Sequence, residues 1–276
     1  MSADTATVAA TINYFVPPKD GSKPITTVDR DSNKFSANWE TRPHAVSIED
    51  VRGKEDEYTL DRVGFQFFKH PASHTAFKND KDIEKEYYPE SIDFIKQVTG
   101  ASRVVIFDHT IRRRIEGAAD IPGTRQPAAM THGDQTPPAS VARVHRHLPA
   151  DEVPGLLQKR FQIINLWRPI NHPAYDWPLT LCDYRSVDPP RDLVAITRKY
   201  PEHTGETYGV QYNEGHKWKY VKGLTPEEGV LIKCFDSIQD GSVAPMTPHT
   251  AFEDPTTPAG APHRESIELR TLVFYD

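Results

Sequence analysis

From residue 103 onward the chain is a series of short runs rich in β-branched and aromatic residues, each broken by proline, glycine or a polar cluster: "RVVIFDHTI", "RFQIINLWRPI", "LTLCDY", "DLVAI", "TYGVQY", "KWKYV", "GVLIKCF" and "SIELRTLVFY". Such runs suit a pleated, buried surface and are too short for buried helices. Two earlier runs, "HAVSIEDV" and "VGFQFFKH", read the same way. The 24 prolines in 276 residues reinforce this, because proline ends ladders and helices alike. Helical spacing is clear in "DKDIEKEYYPESIDFIKQVTG", where Ile83, Tyr87, Ile92, Ile95 and Val98 recur, Gly100 closes the helix and Pro89 kinks or splits it. "PASVARVHRHLPADEVPGLLQK" has helical character too. Many strands and few helices predict a mainly β sandwich or barrel. "NEGH" before Lys217 reads as a hairpin loop, with Gly215 supplying a positive φ.

No flexible linker or change in composition divides the chain, so residues 1–276 read as a single domain. Residues 1–45 read as an extended N-terminal segment lying over its surface. A formal charge of −6 argues against a nucleic-acid surface, and the one dense basic run, "HTIRRR", fits ion pairs or an anion pocket better. No apolar run is long enough for a membrane span. The first residues carry an early Asp and no basic n-region, unlike a secretory leader. Cys182 and Cys234, each inside a strand-like run, do not form a disulfide framework, and a cytoplasmic location is expected.

The chemistry is concentrated in "THGDQTPPAS". On an extended strand His132 and Asp134 leave the same face about 6.5 Å apart, within reach of one cation. Two histidines and one carboxylate form a facial triad that leaves metal positions open, as non-haem Fe(II) oxygenases require. "MTPHTAFEDP" offers His249 as the third ligand, just past an apolar strand.

The order His-x-Asp, distant His, then Arg-x-Ser on the last strand resembles the Fe(II)/2-oxoglutarate dioxygenases of the double-stranded β-helix fold. The phrases "FDHTIRR", "HGDQTP", "NLWRPI", "LCDYRSV", "YNEGHKWKY", "KCFDS", "TPHTAF" and "RESIELR" narrow the resemblance, which runs from about residue 105 to the C-terminus. They are similar to the mostly fungal family of gibberellin desaturase, AsaB-like hydroxylases and the cephalosporin 7α-hydroxylase CmcJ. That family usually has His-Val-Asp where this chain has Gly133. The middle residue points away from a metal, so ligation is expected to survive on a more flexible strand.

The resemblance implies a jelly-roll, cupin-like core with flanking helices and one iron on His132, Asp134 and His249. It also implies 2-oxoglutarate and O2 as co-substrates, and hydroxylation or desaturation of a small secondary metabolite with release of succinate and CO2. For the distal carboxylate of 2-oxoglutarate two arginines compete. Arg264, Ser266, Glu268 and Arg270 share one face of the last strand, with Ile267 and Leu269 on the other. Glu268 can neutralise Arg270, whereas Arg264 has only the hydroxyl of Ser266 beside it, so Arg264 is the better anion receptor. Asn165 and Trp167 share a face in "IINLWRPI", with Arg168 opposite, and can either satisfy the core or contact co-substrate or substrate.

Other histidines are weaker candidates. His145 and His147 diverge if their segment is helical. His109 lines the pocket or bonds within the core, and His216 and His263 lie in loop contexts that suggest solvation. Asp183 and Lys233 suggest an ion pair or support for the site. A small-molecule substrate is the expected partner, and a homo-oligomer stays open. The main rival is a cupin-like metal-binding protein or non-redox metalloenzyme using the same ligands. Methyl transfer has no glycine-rich nucleotide loop to support it.

Overall fold

The computed structural model describes residues 6–29, 34–119 and 125–276. In chain order the strands are β1 (Thr7–Val16), β2 (Ile25–Asp29), β3 (Lys34–Ala37), β4 (Glu40–Asp50), β5 (Phe65–Lys69), β6 (Arg103–Arg113), β7 (His132–Gly133), β8 (Phe161–Pro169), β9 (Leu179–Cys182), β10 (Leu193–Lys199), β11 (Thr204–Val210), β12 (Trp218–Tyr220), β13 (Glu228–Asp236), β14 (His249–Ala251) and β15 (Glu265–Phe274). They form a five-stranded sheet, β5-β13-β8-β15-β6, and a ten-stranded one, β1-β4-β12-β9-β14-β7-β11-β10-β2-β3. Together they make the jelly-roll core that the resemblance implied.

Strands β8 and β13 are buried on both faces, and their alternation sorts side chains into two layers. Ile163, Trp167, Val230 and Ile232 turn toward Leu179 and Leu181 of the large sheet and fill the space between the sheets. Ile164, Leu166 and Leu231, with Ile267 and Leu269 of β15, turn outward onto Ile83, Tyr87, Phe94 and Ile95 of the long helical segment. That segment is split as Pro89 suggested: a wide π turn covers Ile83–Tyr87, an α-helix runs over Tyr88–Thr99, and Gly100 caps it at φ 72°. Pro89 has no N–H to close a bond onto the preceding turn, which is where the helix widens.

Two expectations need amending. The N-terminal segment is extended, with one face of β1 exposed, but is not merely laid over the surface: β1 pairs along its whole length with β4 and buries Val8, Ala10, Ile12 and Tyr14 on its other face. Short apolar steps between polar residues look like a surface strap in sequence, yet they are the alternation of a strand buried on one face. The "NEGH" stretch does not join a hairpin either. β11 pairs with β10 and β7, whereas β12 pairs with β4 and β9, so three strands separate them. Gly215 is not among the positive-φ glycines; the turn closes instead through the Asn213 side chain, which accepts from the Gly215 N–H at 2.8 Å.

Candidate metal centre

β7 is two residues long and lies between β14 and β11, with His132 opposite His249 on one side and Gly209 on the other. This register brings the two imidazoles to a centroid distance of 4.4 Å. The same local device orients both rings. His132 Nδ1 lies 2.7 Å from the Met130 carbonyl and His249 Nδ1 lies 3.2 Å from the Thr247 carbonyl, each two residues upstream. A ring nitrogen facing a carbonyl carries the proton, so both Nε2 lone pairs are left for a cation. Asp134 Oδ1 lies 3.5 Å from His132 Nε2, and the ligand atoms of all three residues fall within 4.8 Å of one another. Burial alone would raise the Asp134 carboxyl, but the groups beside it, His132 first and then His249 and Arg270, hold it well below the usual range. Burial, then the neighbouring His132, pushes His249 down to about 4. A carboxylate and two neutral imidazoles suit a divalent first-row metal with open positions.

The second oxygen of Asp134 is engaged from the other sheet. Asn165 Nδ2 of β8 donates to Oδ2 at 2.6 Å, and the Cys234 thiol of β13 does so at 3.4 Å. Cys234 reaches it because the β13–β8 register slips between Lys233 and Phe235, leaving Cys234 as the extra residue of a bulge. Burial, then the Asp134 charge, raises its pKa well above the thiol range and keeps it a donor. Neither contact is visible in sequence, although Asn165 stands out there as a candidate. At Gly133 a Cβ would meet the Met246 methyl at 2.2 Å, so the space of the missing side chain is taken by a buried methionine.

On β15 the arginines divide as their neighbours predict. Arg270 is paired with Asp108 at 3.0 Å and Glu268 at 3.1 Å. Arg264 is 2% exposed, lies over the Trp167 ring at 5.7 Å and donates Nη1 to the Trp177 carbonyl at 2.6 Å. Among the described residues it has no ion pair with a carboxylate, and its buried Nε has no acceptor. Burial, then the nearby Arg112, lowers its pKa to about 9. Ser266 is buried beside it and faces Arg112 in the ladder. Arg112, at the end of β6, was missed because "RRR" gave no hint of which guanidinium turns inward. A buried, unpaired guanidinium and an inward carboxylate set fit an iron site with a dianionic co-substrate.

The remaining candidates lie elsewhere. His145 and His147 are on the helix Pro137–His147, with the His147 ring stacked on Phe107. His109 bonds Tyr88 at 2.8 Å and Asp80 at 3.4 Å. His263 is half exposed and lies near Arg114 and Asp176. His216 is not solvated but buried, between Asp192 at 2.9 Å and the Tyr14 hydroxyl at 3.2 Å, because β1 covers it. Asp183 and Lys233 do not pair: Asp183 holds Arg185, whereas Lys233 holds Asp61 and Asp236. Both cysteines are free and buried. Arg168 faces outward over Phe68 and Tyr87.

Fold and candidate site together fit a non-haem iron oxygenase. Residues 12–274 match the family model described as an oxidoreductase/YMDC permease-like domain. The hydroxylase/desaturase efuI of Hormonema carpetanum is 34% identical over all of this chain and 97% of its own length. The Fe(II)/2-oxoglutarate-dependent dioxygenase nvfI of Aspergillus novofumigatus is 32% identical over 94% of each chain. The solved structure of the iron and alpha-ketoglutarate-dependent endoperoxidase NvfI superposes with a TM-score of 0.83, at 29% identity and 99% coverage of both chains. The chain belongs to this Fe(II)/2-oxoglutarate-dependent hydroxylase and desaturase family. It is an oxidoreductase whose cofactors are Fe(II), 2-oxoglutarate and O2.

Proposed function

We propose that His132, Asp134 and His249 hold the iron, that Arg264 with Ser266 binds the distal carboxylate of 2-oxoglutarate, and that the substrate is a small secondary metabolite. The chain is read as one domain working in the cytoplasm; no helix of the described residues is long and apolar enough to cross a membrane. The observation that carries the reading is the convergence of one ligand atom each from His132, Asp134 and His249 within 4.8 Å, with both Nδ1 atoms facing backbone carbonyls.

Iron, 2-oxoglutarate and O2 together supply an oxidant strong enough to take hydrogen from an unactivated C–H bond, with succinate and CO2 as co-products. The chain's own residues make that chemistry selective. Asn165 and Cys234 fix one Asp134 oxygen and so present the other to the metal. The Trp167 ring beneath Arg264 keeps its guanidinium in place without a carboxylate to compete with the incoming one. Arg270 is already paired with Asp108 and Glu268, which favours Arg264 for that role.

Wild type is expected to bind about one Fe(II) per chain, and His132→Ala, Asp134→Ala and His249→Ala are each expected to lose most of it by elemental analysis. With Fe(II) and ascorbate, succinate should form from 2-oxoglutarate in air and not under nitrogen. Wild-type iron content in all three variants, or equal succinate in both atmospheres, would refute the assignment.

A further inference from the structure

The run "RRR" at 112–114 sends consecutive guanidiniums to different partners. Arg113 pairs with Glu265 at 3.2 Å and Arg114 with Asp176 at 2.9 Å. Arg112 faces inward and, among the described residues, meets no carboxylate. Its one partner is the Gln126 carbonyl, 2.7 Å from Nη1.

The β6–β15 register sets where this cation lies. Arg112 is the direct partner of Ser266, and Thr110 of Glu268, so Arg112 shares the inner face of β15 with Arg264, Ser266 and Glu268. Arg264 is two residues from Ser266 and therefore diagonal to Arg112, a spacing of about 7–8 Å that long side chains span easily. The two cations feel each other: after burial, the Arg112 charge does most to lower the Arg264 pKa, outweighing Asp176 and Glu268. Glu268 and His249 feel the same charge, so Arg112 belongs to the interior of the site. That interior is reached by solvent, since the His132 and Asp134 side chains keep 19% and 17% of their exposure between the sheets. Neighbouring buried guanidiniums with no acid between them are costly. An anion lodged there turns the repulsion into charge-assisted hydrogen bonds from both sides.

We infer that Arg112 is a second anion receptor of the co-substrate pocket, and that the distal carboxylate of 2-oxoglutarate is held between Arg112 of β6 and Arg264 of β15. The inference rests on the reading of Arg264 given above and extends it to a residue on a different strand. The consequence is selectivity by charge. An oxo acid that lacks the distal carboxylate leaves both guanidiniums buried and unanswered, and binds weakly for that reason. The Gln126 carbonyl holds Arg112 from the segment that leads into β7, so the receptor is positioned before the anion arrives.

The test uses the full-length protein with Fe(II) under nitrogen. It titrates 2-oxoglutarate and 2-oxopentanoate, the same oxo acid with a methyl group in place of the distal carboxylate, by the visible band each gives with the metal. Arg112→Gln should weaken 2-oxoglutarate by roughly tenfold or more and leave 2-oxopentanoate within about twofold of wild type, with iron content unchanged. Arg112→Met, of similar reach, should do the same, so that a folding defect peculiar to one variant does not decide the matter. Wild-type affinity for 2-oxoglutarate in these variants overturns the inference. Equal loss for both oxo acids, or loss of iron, also overturns it, because Arg112 would then support the metal end or the fold. Arg264→Gln in the same series separates the two readings. Selective loss there with none in the Arg112 variants refutes the second receptor alone, whereas wild-type binding in Arg264→Gln refutes the Arg264 assignment itself.

Discussion

The two oxygens of Asp134 have different partners, and this division is where single residues matter most. Oδ2 takes Asn165 and Cys234, and Oδ1 is left beside the histidines. Asn165→Leu frees Oδ2 to rotate into the site, and metal affinity is expected to fall roughly ten- to a hundredfold, as for other partners of metal ligands, when measured by competition with a chelator. Arg264→Gln is expected to weaken 2-oxoglutarate by roughly ten- to a hundredfold with iron content unchanged, read from the visible band of the anaerobic iron complex. A larger loss in Arg270→Gln than in Arg264→Gln would reverse the assignment. At this scale, residues close in sequence were legible: the spacing of His132 and Asp134, and the acid beside Arg270 but not Arg264. The contacts of Asp134 with Asn165 and Cys234 were not, because they cross from one sheet to the other, and one of them depends on a bulge that no local pattern announces.

Among the elements, the long apolar strands could be read from composition, since β8, β13 and β15 each bury a continuous run. Among the shortest, the stretch through His132 (β7) and "KWKYV" (β12) read as strands and β14 does not. β7 and β14 span two and three residues, too few for propensity to weigh, yet they carry both histidines. β7 is held by its neighbours rather than by its own sequence, and Gly133 shows how closely. Gly133→Val, which restores the residue usual in the resembling family, drives a side chain into the Met246 methyl. A loss of about 1–2 kcal/mol is expected, because methionine can yield only partly inside a packed core, and Met246→Ala in the same chain should recover most of it. Thermal unfolding of both variants checks this; a single variant as stable as wild type would show that Met246 moves freely.

Across the whole molecule, β1 closes the outer face of the large sheet and buries His216 with Tyr14 and Trp218. Burial lowers the His216 pKa despite the attraction of Asp192. The folded imidazole therefore stays neutral at a pH where the unfolded one, titrating near 6.5, takes up a proton. Stability contributed by this group is complete above about pH 6.5 and is lost as pH falls toward the lower folded value. His216→Gln should flatten the fall in melting temperature between pH 7 and 5, and an unchanged slope would assign that fall to other groups. Asp61 and Asp236, lowered by their bonds to Lys233 and Arg160 against the opposing effect of burial, add a second loss further down, below the ordinary carboxylate range. The cross-strand seam of His132 and His249 has one more consequence. Their side chains belong to segments far apart along the chain, and Asp134 is tied to the opposite sheet, so a metal on all three closes a long loop and fastens both sheets at one point. Such a clasp removes conformational freedom from the unfolded chain and makes metal occupancy part of the folding equilibrium. Chelation should therefore lower the melting temperature and quicken proteolysis of the whole fold as well as end turnover.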